Sequence, residues 1–463
     1  MERELQLDDI QGNILAGFNT DFQELVGLTV SQTRDFLLAA KWLAAQADAL
    51  TVVSEIRAQR SAMRSLQPNT GATWLSIAIS HRLLKVTQPD VLIRDDAFNG
   101  GMLKRAPSVL GDMTDPSNWH VGSSSNPLDV LLIIAANDEK AVVRRATSLI
   151  ESASATGLVK TYRETAKRLN DREHFGFLDG ISQPKVKGID RDGTLGAGHF
   201  VFGYPRQVGE DPFRPVIDPR NVTDNGSLLV FRRLKQDVRL FRKACSDEAT
   251  RIAPLWPGIT SDHLSALIVG RWPSGAPIKA SETEDPGGVP PQNDFDFQND
   301  PDAHSCPFGA HIRKVNPRNG QKDVVEIPRI LRRGIPFGPP FDLAPDVEDR
   351  GLAFLAFQTS IRSQFEFISG NWMNSRINPG PGNDLLVGRP AGIPTMTVAG
   401  PNGPIGISAP STQWVIPTGG GYLFAPSRSG LAKFGDPPSP LGFWKAKQVF
   451  AEISDTLKSL VSK

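Results

Sequence analysis

Residues 129–136 (DVLLIIAA) constrain the fold more than any other stretch of the chain. A strand with one face in water alternates apolar and polar side chains; so continuous a run belongs to a strand covered on both faces. Its surroundings supply the rest of a unit. Residues 24–30 read as a short apolar strand, followed by helical patterns over 33–47 and 51–64. Residues 73–80 alternate, with Leu75, Ile77 and Ile79 on one face. Asn137 and Asp138 cap a helix to about residue 154, on which Ala141, Val142, Ala146, Leu149 and Ile150 recur at helical spacing. Residues 157–167 return as a strand. The order β-α-β-β-α-β, with residues 81–128 inserted between the second and third strands, is ferredoxin-like.

The same order reads again, more loosely, later in the chain. Strands are expected over 227–233, 323–331, 351–359 and 421–425, and helices over 235–249, 261–270 and 360–374. The expected fold class is therefore α+β: two ferredoxin-like (βαββαβ) halves with long insertions, residues 1–170 and 226–463. Residues 171–225 connect them and are too long for an idle linker. Gly (42) and Pro (37) are concentrated beyond residue 185, so the second half should be loop-rich, where binding sites are usually built.

Lys plus Arg (51) nearly cancels Asp plus Glu (50), which leaves no long-range field to gather nucleic acid or an anionic membrane. Neither is expected as a partner. No run approaches the ~18 apolar residues of a membrane span, and residues 1–10 hold no apolar core of signal-peptide length, so a cytoplasmic protein is expected. Two cysteines, Cys245 and Cys306, exclude a disulfide framework and allow at most one bridge.

Three segments hold candidate chemistry. His311 stands in SCPFGAHIRKVNPR (305–318), where Ser305 suits an N-cap, Pro307 a first turn, and Asn316-Pro317 a stop. The expected helix carries His311 near its middle, beside Phe308 and Val315, and its imidazole needs a partner: a carboxylate, a backbone carbonyl or a metal. A zinc site with His304 and Cys306 fits no common spacing. Asp179 lies in FGFLDGISQP (175–184), a turn dipeptide in unusually apolar company, so desolvation should raise its pKa. Arg332 and Arg333, adjacent in IPRILRRGIPFG (327–338), should point to opposite faces of an extended strand.

Together these segments resemble the DyP-type (dye-decolourising) haem peroxidases, the longer bacterial and fungal-like members above all. The GxxDG signature stands as Gly176-Phe-Leu-Asp179-Gly180, the proximal-histidine segment as CPFGAHIRKVNPR, and the distal-arginine segment as ILRRGIPFG. The opening DDIQGNILAGF (8–18) is also similar, so the likeness spans most of the chain in order.

The resemblance implies one haem b per chain, held mainly by the second half, with His311 as axial iron ligand and Asp384 as the carboxylate behind it. Asp179 becomes the distal acid–base and Arg332 the distal cation. Asn316 and Arg318 match positions near the haem propionates, and Phe365 and Phe367 would shape the distal wall. Trp372 is the best surface electron relay. The implied reaction takes hydrogen peroxide and one-electron aromatic donors such as dyes and phenolics; a homodimer is compatible. A haem carrier or sensor, or a haem-iron-handling protein on the same fold, are the rival functions.

Overall fold

In the computed structural model, which describes residues 3–64, 72–207, 215–287, 292–318, 328–410 and 413–436, nine strands join in one antiparallel sheet. The first half contributes β1 (Phe22–Val30), β2 (Trp74–Ser80), β3 (Val130–Ala136) and β4 (Leu158–Lys167). The second contributes β5 (Ser227–Gln236), β6 (Leu331–Arg332), β7 (Ile335–Phe337), β8 (Gly351–Gln358) and β9 (Val415–Ala425). Within the first half the order is β2-β3-β1-β4; within the second it is β9-β5-β8, with β6 and β7 both on the far side of β8. These are the same ferredoxin-like order twice.

The halves then meet at both edges. β9 pairs with β2 through Leu423↔Ser80 and Phe424↔Ile79, and β4 pairs with β7 through Ala166↔Phe337. The ring closes into a barrel, the arrangement that removes sheet edges. Both seams are short, and Gln11 reinforces one of them. Its Nε2 donates to the carbonyls of Ile77 (2.8 Å) and Pro426 (2.6 Å), while its Oε1 accepts from the Ile77 N–H (3.0 Å) and the Ser76 hydroxyl (2.6 Å).

β3 lies between β2 and β1, and all seven of its residues are buried. Val130, Leu132, Ile134 and Ala136 pack outward under helices Phe36–Ala45 and Glu139–Ser154, with Leu43, Val142 and Leu149. Leu131, Ile133 and Ala135 face the barrel interior, where they meet Leu25, Leu229, Phe231, Leu355 and Leu423. Each buried Leu or Ile contributes roughly 1.5–3 kcal/mol, so two separate cores depend on one strand.

Some expectations differ in extent. Of the strand expected over 323–331, residues 323–327 lie outside the described residues, and only Leu331 of the remainder is in a strand. The closing strand is longer than expected, beginning at Val415. A hairpin of Thr395–Gly400 and Gly403–Ser408, unexpected from the sequence, stands apart from the barrel. Cys245 and Cys306 are both buried and unbridged. Among the described residues, no helix is long and apolar enough to cross a membrane.

Candidate active site

Strand periodicity decides where the site lies. On β5 and β8 the residues Leu229, Phe231, Leu355 and Phe357 fill the barrel. The alternate residues Arg232, Leu234 and Gln236 of β5, with Leu352 and Phe354 of β8, face outward and line a cavity of about 410 Å³. That volume suits an enclosed organic ligand. Helix His311–Val315, segment 173–184, residues 328–332 and the π-type helix Ile361–Met373 supply the other walls.

His311 occupies the first position of its helix, not the middle as expected. Ser305 does not cap it; its hydroxyl bonds to Glu282 instead. A close approach keeps the preceding residues out of the helix: a Cβ on Gly309 would sit 2.6 Å from the Asn383 carbonyl oxygen. That contact brings the helix start against the loop bearing Asp384. His311 Nδ1 donates to Asp384 Oδ2 (2.8 Å), and Asp384 Oδ1 accepts the N–H groups of Leu386 (3.0 Å) and Val387 (3.1 Å). With Nδ1 carrying the proton, the Nε2 lone pair is left for the cavity. Ile312 and Val315 line the cavity beside it, whereas Phe308 stacks on the Arg313 guanidinium, 4.4 Å from its ring centroid.

Arg332 and Asp179, which line the same cavity, form a pair, NH1 to Oδ1 at 2.9 Å. Gln183 clamps the arginine backbone, accepting its N–H and donating to its carbonyl, each at 3.2 Å. Arg333 does turn the other way: its guanidinium donates to the carbonyls of Asn13, Ile14 and Leu15, ending helix Gly12–Leu15. Asp179 Oδ1 also accepts the Gly180 N–H at 2.6 Å, while Oδ2 has no partner among the described residues. Burial pushes the Asp179 carboxyl up, as expected, but the Arg332 charge, the Gly180 N–H and the Arg332 hydrogen bond outweigh it. The carboxyl therefore lies below its ordinary value, the reverse of the direction expected from the sequence.

Asn316 and Arg318 both line the cavity, Asn316 accepting from Arg329 at 2.8 Å. Phe365 lines it too, with Ile368, Ser369 and Met373 of the same helix. Phe367 does not. Residues two apart on a helix point away from each other, so Phe367 packs edge-on against Trp372 instead, 5.4 Å between centroids. Trp372 is half-buried and likewise outside the cavity wall.

Residues 9–168 match the family described as the DyP dimeric α+β barrel domain. The chain is 32% identical to a dye-decolorizing peroxidase of Exidia glandulosa, covering 92% of this chain and 86% of that one. The chain belongs to the dye-decolourising peroxidase family. It is also 30% identical to the multifunctional dye peroxidase DyP2 of an Amycolatopsis strain, over 92% of this chain and 95% of that one. Among solved structures, it is similar to an ancestral D-type dye decolorizing peroxidase with a TM-score of 0.79 at 30% identity, covering 93% of this chain and 99% of that one. The fungal DyP-type peroxidase of Auricularia auricula-judae matches with a TM-score of 0.77 at 28% identity, over 94% and 100% of the two chains.

Sequence reasoning missed several cavity residues of this DyP-type peroxidase, Gln183, Glu173, Arg271 and Arg329 among them. Glu173 shapes the loop that bears Asp179: its carboxylate accepts the N–H groups of Phe175 and Phe177, each at 2.9 Å, and the side chain of Gln236. Arg271 and Arg329 join Arg318 in a cluster of cavity-lining guanidiniums with no carboxylate partner among the described residues. Burial and then the neighbouring cation bring Arg271 and Arg318 down to about 10. Arg329 lies in IPRILRRGIPFG (327–338), three residues before Arg332, and that spacing is its sequence signal.

Proposed function

We propose that this DyP-type peroxidase binds one haem b in the cavity and uses hydrogen peroxide to oxidise dyes, phenolics and similar aromatic one-electron donors. One observation carries the reading: an Asp179–Arg332 pair and an Asp384-backed imidazole face the same apolar-walled cavity. A carrier needs the imidazole but has no use for a fixed acid–base beside a fixed cation.

The residues fit the group. His311 Nε2 would coordinate the iron, and hydrogen bonding to Asp384 would make it a more electron-rich ligand. Leu234, Leu352, Phe354 and Phe365 suit a flat apolar macrocycle. Arg318 and Arg329, which have no carboxylate partner among the described residues, suit its carboxylates together with Asn316. When bound, haem supplies a redox iron at which peroxide is reduced to water and two oxidising equivalents are kept.

The chain's own groups move the proton and stabilise the charge. Asp179, held ionised by Arg332, takes a proton from peroxide at its free Oδ2 and passes it to the departing oxygen. Arg332 stabilises the negative charge growing on that oxygen, and the Gln183 clamp fixes where it points. Donors too bulky for the cavity would deliver electrons at the surface, with Trp372 as the relay.

Stopped-flow mixing of the haem-loaded protein with peroxide tests the assignment. Asp179→Asn and Arg332→Leu should each slow the reaction by roughly 10²–10⁴-fold. The base works only when ionised, so the wild-type rate should fall as pH drops through the depressed pKa of Asp179. In Arg332→Leu the upward push of burial remains without the opposing cation, and the acid limb should move to higher pH. An acid limb that stays in place would refute Asp179 as the base.

A further inference from the structure

Phe365, which lines the cavity, also packs edge-on against a second aromatic, Tyr422 of β9, with 6.3 Å between centroids. Tyr422 is buried, and its hydroxyl donates to Glu366 Oε1 at 3.0 Å. Glu366 is itself buried and gripped bidentately by Arg105, whose Nε and NH2 each lie 2.6 Å from a carboxylate oxygen. Arg105 carries the network outward, with a quarter of its side chain (25%) exposed.

A phenol is a far better electron donor when its proton has somewhere to go. We propose that Tyr422 is a redox-active tyrosine of this peroxidase, which gives an electron through Phe365 to the oxidised centre in the cavity and its phenolic proton to Glu366. The proposal rests on the haem-peroxidase reading, from which the oxidant comes. One electron from Tyr422 consumes one of the two equivalents left by peroxide, producing a neutral tyrosyl radical and a protonated Glu366 still bonded to Arg105. An electron from an outside phenolic donor then restores the tyrosine as Glu366 returns the proton, the donor's own proton going to water.

Tyr204, Tyr162 and Trp414 each lack one half of this arrangement. Tyr204 donates to an amide, Asn225 Oδ1 at 2.7 Å, which is no base. Tyr162 has a carboxylate, Glu164 at 3.1 Å, but its ring neighbour Phe231 fills the barrel rather than the cavity wall. Trp414 connects to cavity-lining Phe175 through Phe241, with centroid separations of 5.2 and 4.4 Å, yet its indole N–H has no acceptor among the described residues. Oxidising it would strand a positive charge in an apolar site. Burial and the Glu366 charge push the Tyr422 phenol well above its ordinary range, so it rests protonated and must lose the proton as it loses the electron.

The test is electron paramagnetic resonance of haem-loaded protein, freeze-quenched after one equivalent of peroxide without reductant. Wild type and Tyr162→Phe should show an organic radical signal that narrows when the protein carries ring-deuterated tyrosine. In Tyr422→Phe, checked for retained haem absorbance, that signal should fall at least tenfold. Glu366→Gln, which keeps an acceptor but takes no proton, should form it more slowly. An undiminished signal in Tyr422→Phe, or none in a wild type that has consumed peroxide, would overturn the proposal while leaving the peroxidase reading intact. A wild type that binds no haem would overturn both.

Discussion

Asp179 and Glu173 stand six residues apart in one loop, and their carboxyls titrate in opposite directions. Burial pushes both up. It prevails at Glu173, which reaches about 7 despite three donors, and it loses at Asp179 because Arg332 is 2.9 Å away. The apolar company of Asp179 was legible in the sequence; the cation brought from 153 residues away was not, so the expected direction came out reversed. Glu173 gives a prediction at this scale. A carboxyl raised from 4.5 in the unfolded chain to about 7 stabilises the fold below pH 4.5 and loses that contribution as pH climbs through 7. The loss should approach about 3 kcal/mol. Urea unfolding of the haem-free chain at pH 5 and pH 8 checks it. Glu173→Gln should flatten the difference, and an unchanged difference would assign it to other groups.

The helix that bears His311 shows how an element too short to hold itself becomes rigid. Five residues form barely more than one turn, which has no stability of its own in water. Two buried cations fasten it on either side. Arg313 donates to Asp300 Oδ2 (2.8 Å) and to the carbonyls of Asp300 (2.7 Å) and Cys306 (2.6 Å). Lys314 Nζ donates to the carbonyls of Ser375 (3.0 Å), Asn378 (2.7 Å) and Gly380 (2.8 Å). Lys314→Met would leave those three carbonyls without their donor and should cost on the order of 3 kcal/mol. Thermal unfolding should show that loss, and haem retention should weaken with it because His311 is one turn away. A lowered Tm with wild-type haem retention would contradict the anchoring role. Local signals overestimated this helix: Ser305 and Pro307 look like a start, but Gly309 packs on the Asn383 carbonyl and the chain turns there. Phe365 and Phe367 were paired by proximity in sequence, and helical geometry separated them.

At the scale of the whole molecule, two ferredoxin-like units share one barrel and differ in how they cover its outside. The first half seals its outer face with helices Phe36–Ala45 and Glu139–Ser154 around Leu132 and Ile134. The second leaves the cavity there. Strand periodicity made both units readable, β3 most clearly, since a strand apolar on both faces needs a cover on each. Closure of the barrel was not readable, because the seams consist of two residue pairs on one side and one on the other, between strands far apart in the chain. We propose that a cavity on the second half's outer face holds haem through His311 for reaction with peroxide. Absorption spectroscopy of the purified chain titrated with haem, then given one equivalent of peroxide, tests it most directly. A sharp Soret band at one haem per chain, which changes on peroxide addition and is not formed by His311→Ala, is the predicted result. A wild type without that band, or a His311→Ala variant that forms it unchanged, would contradict the account.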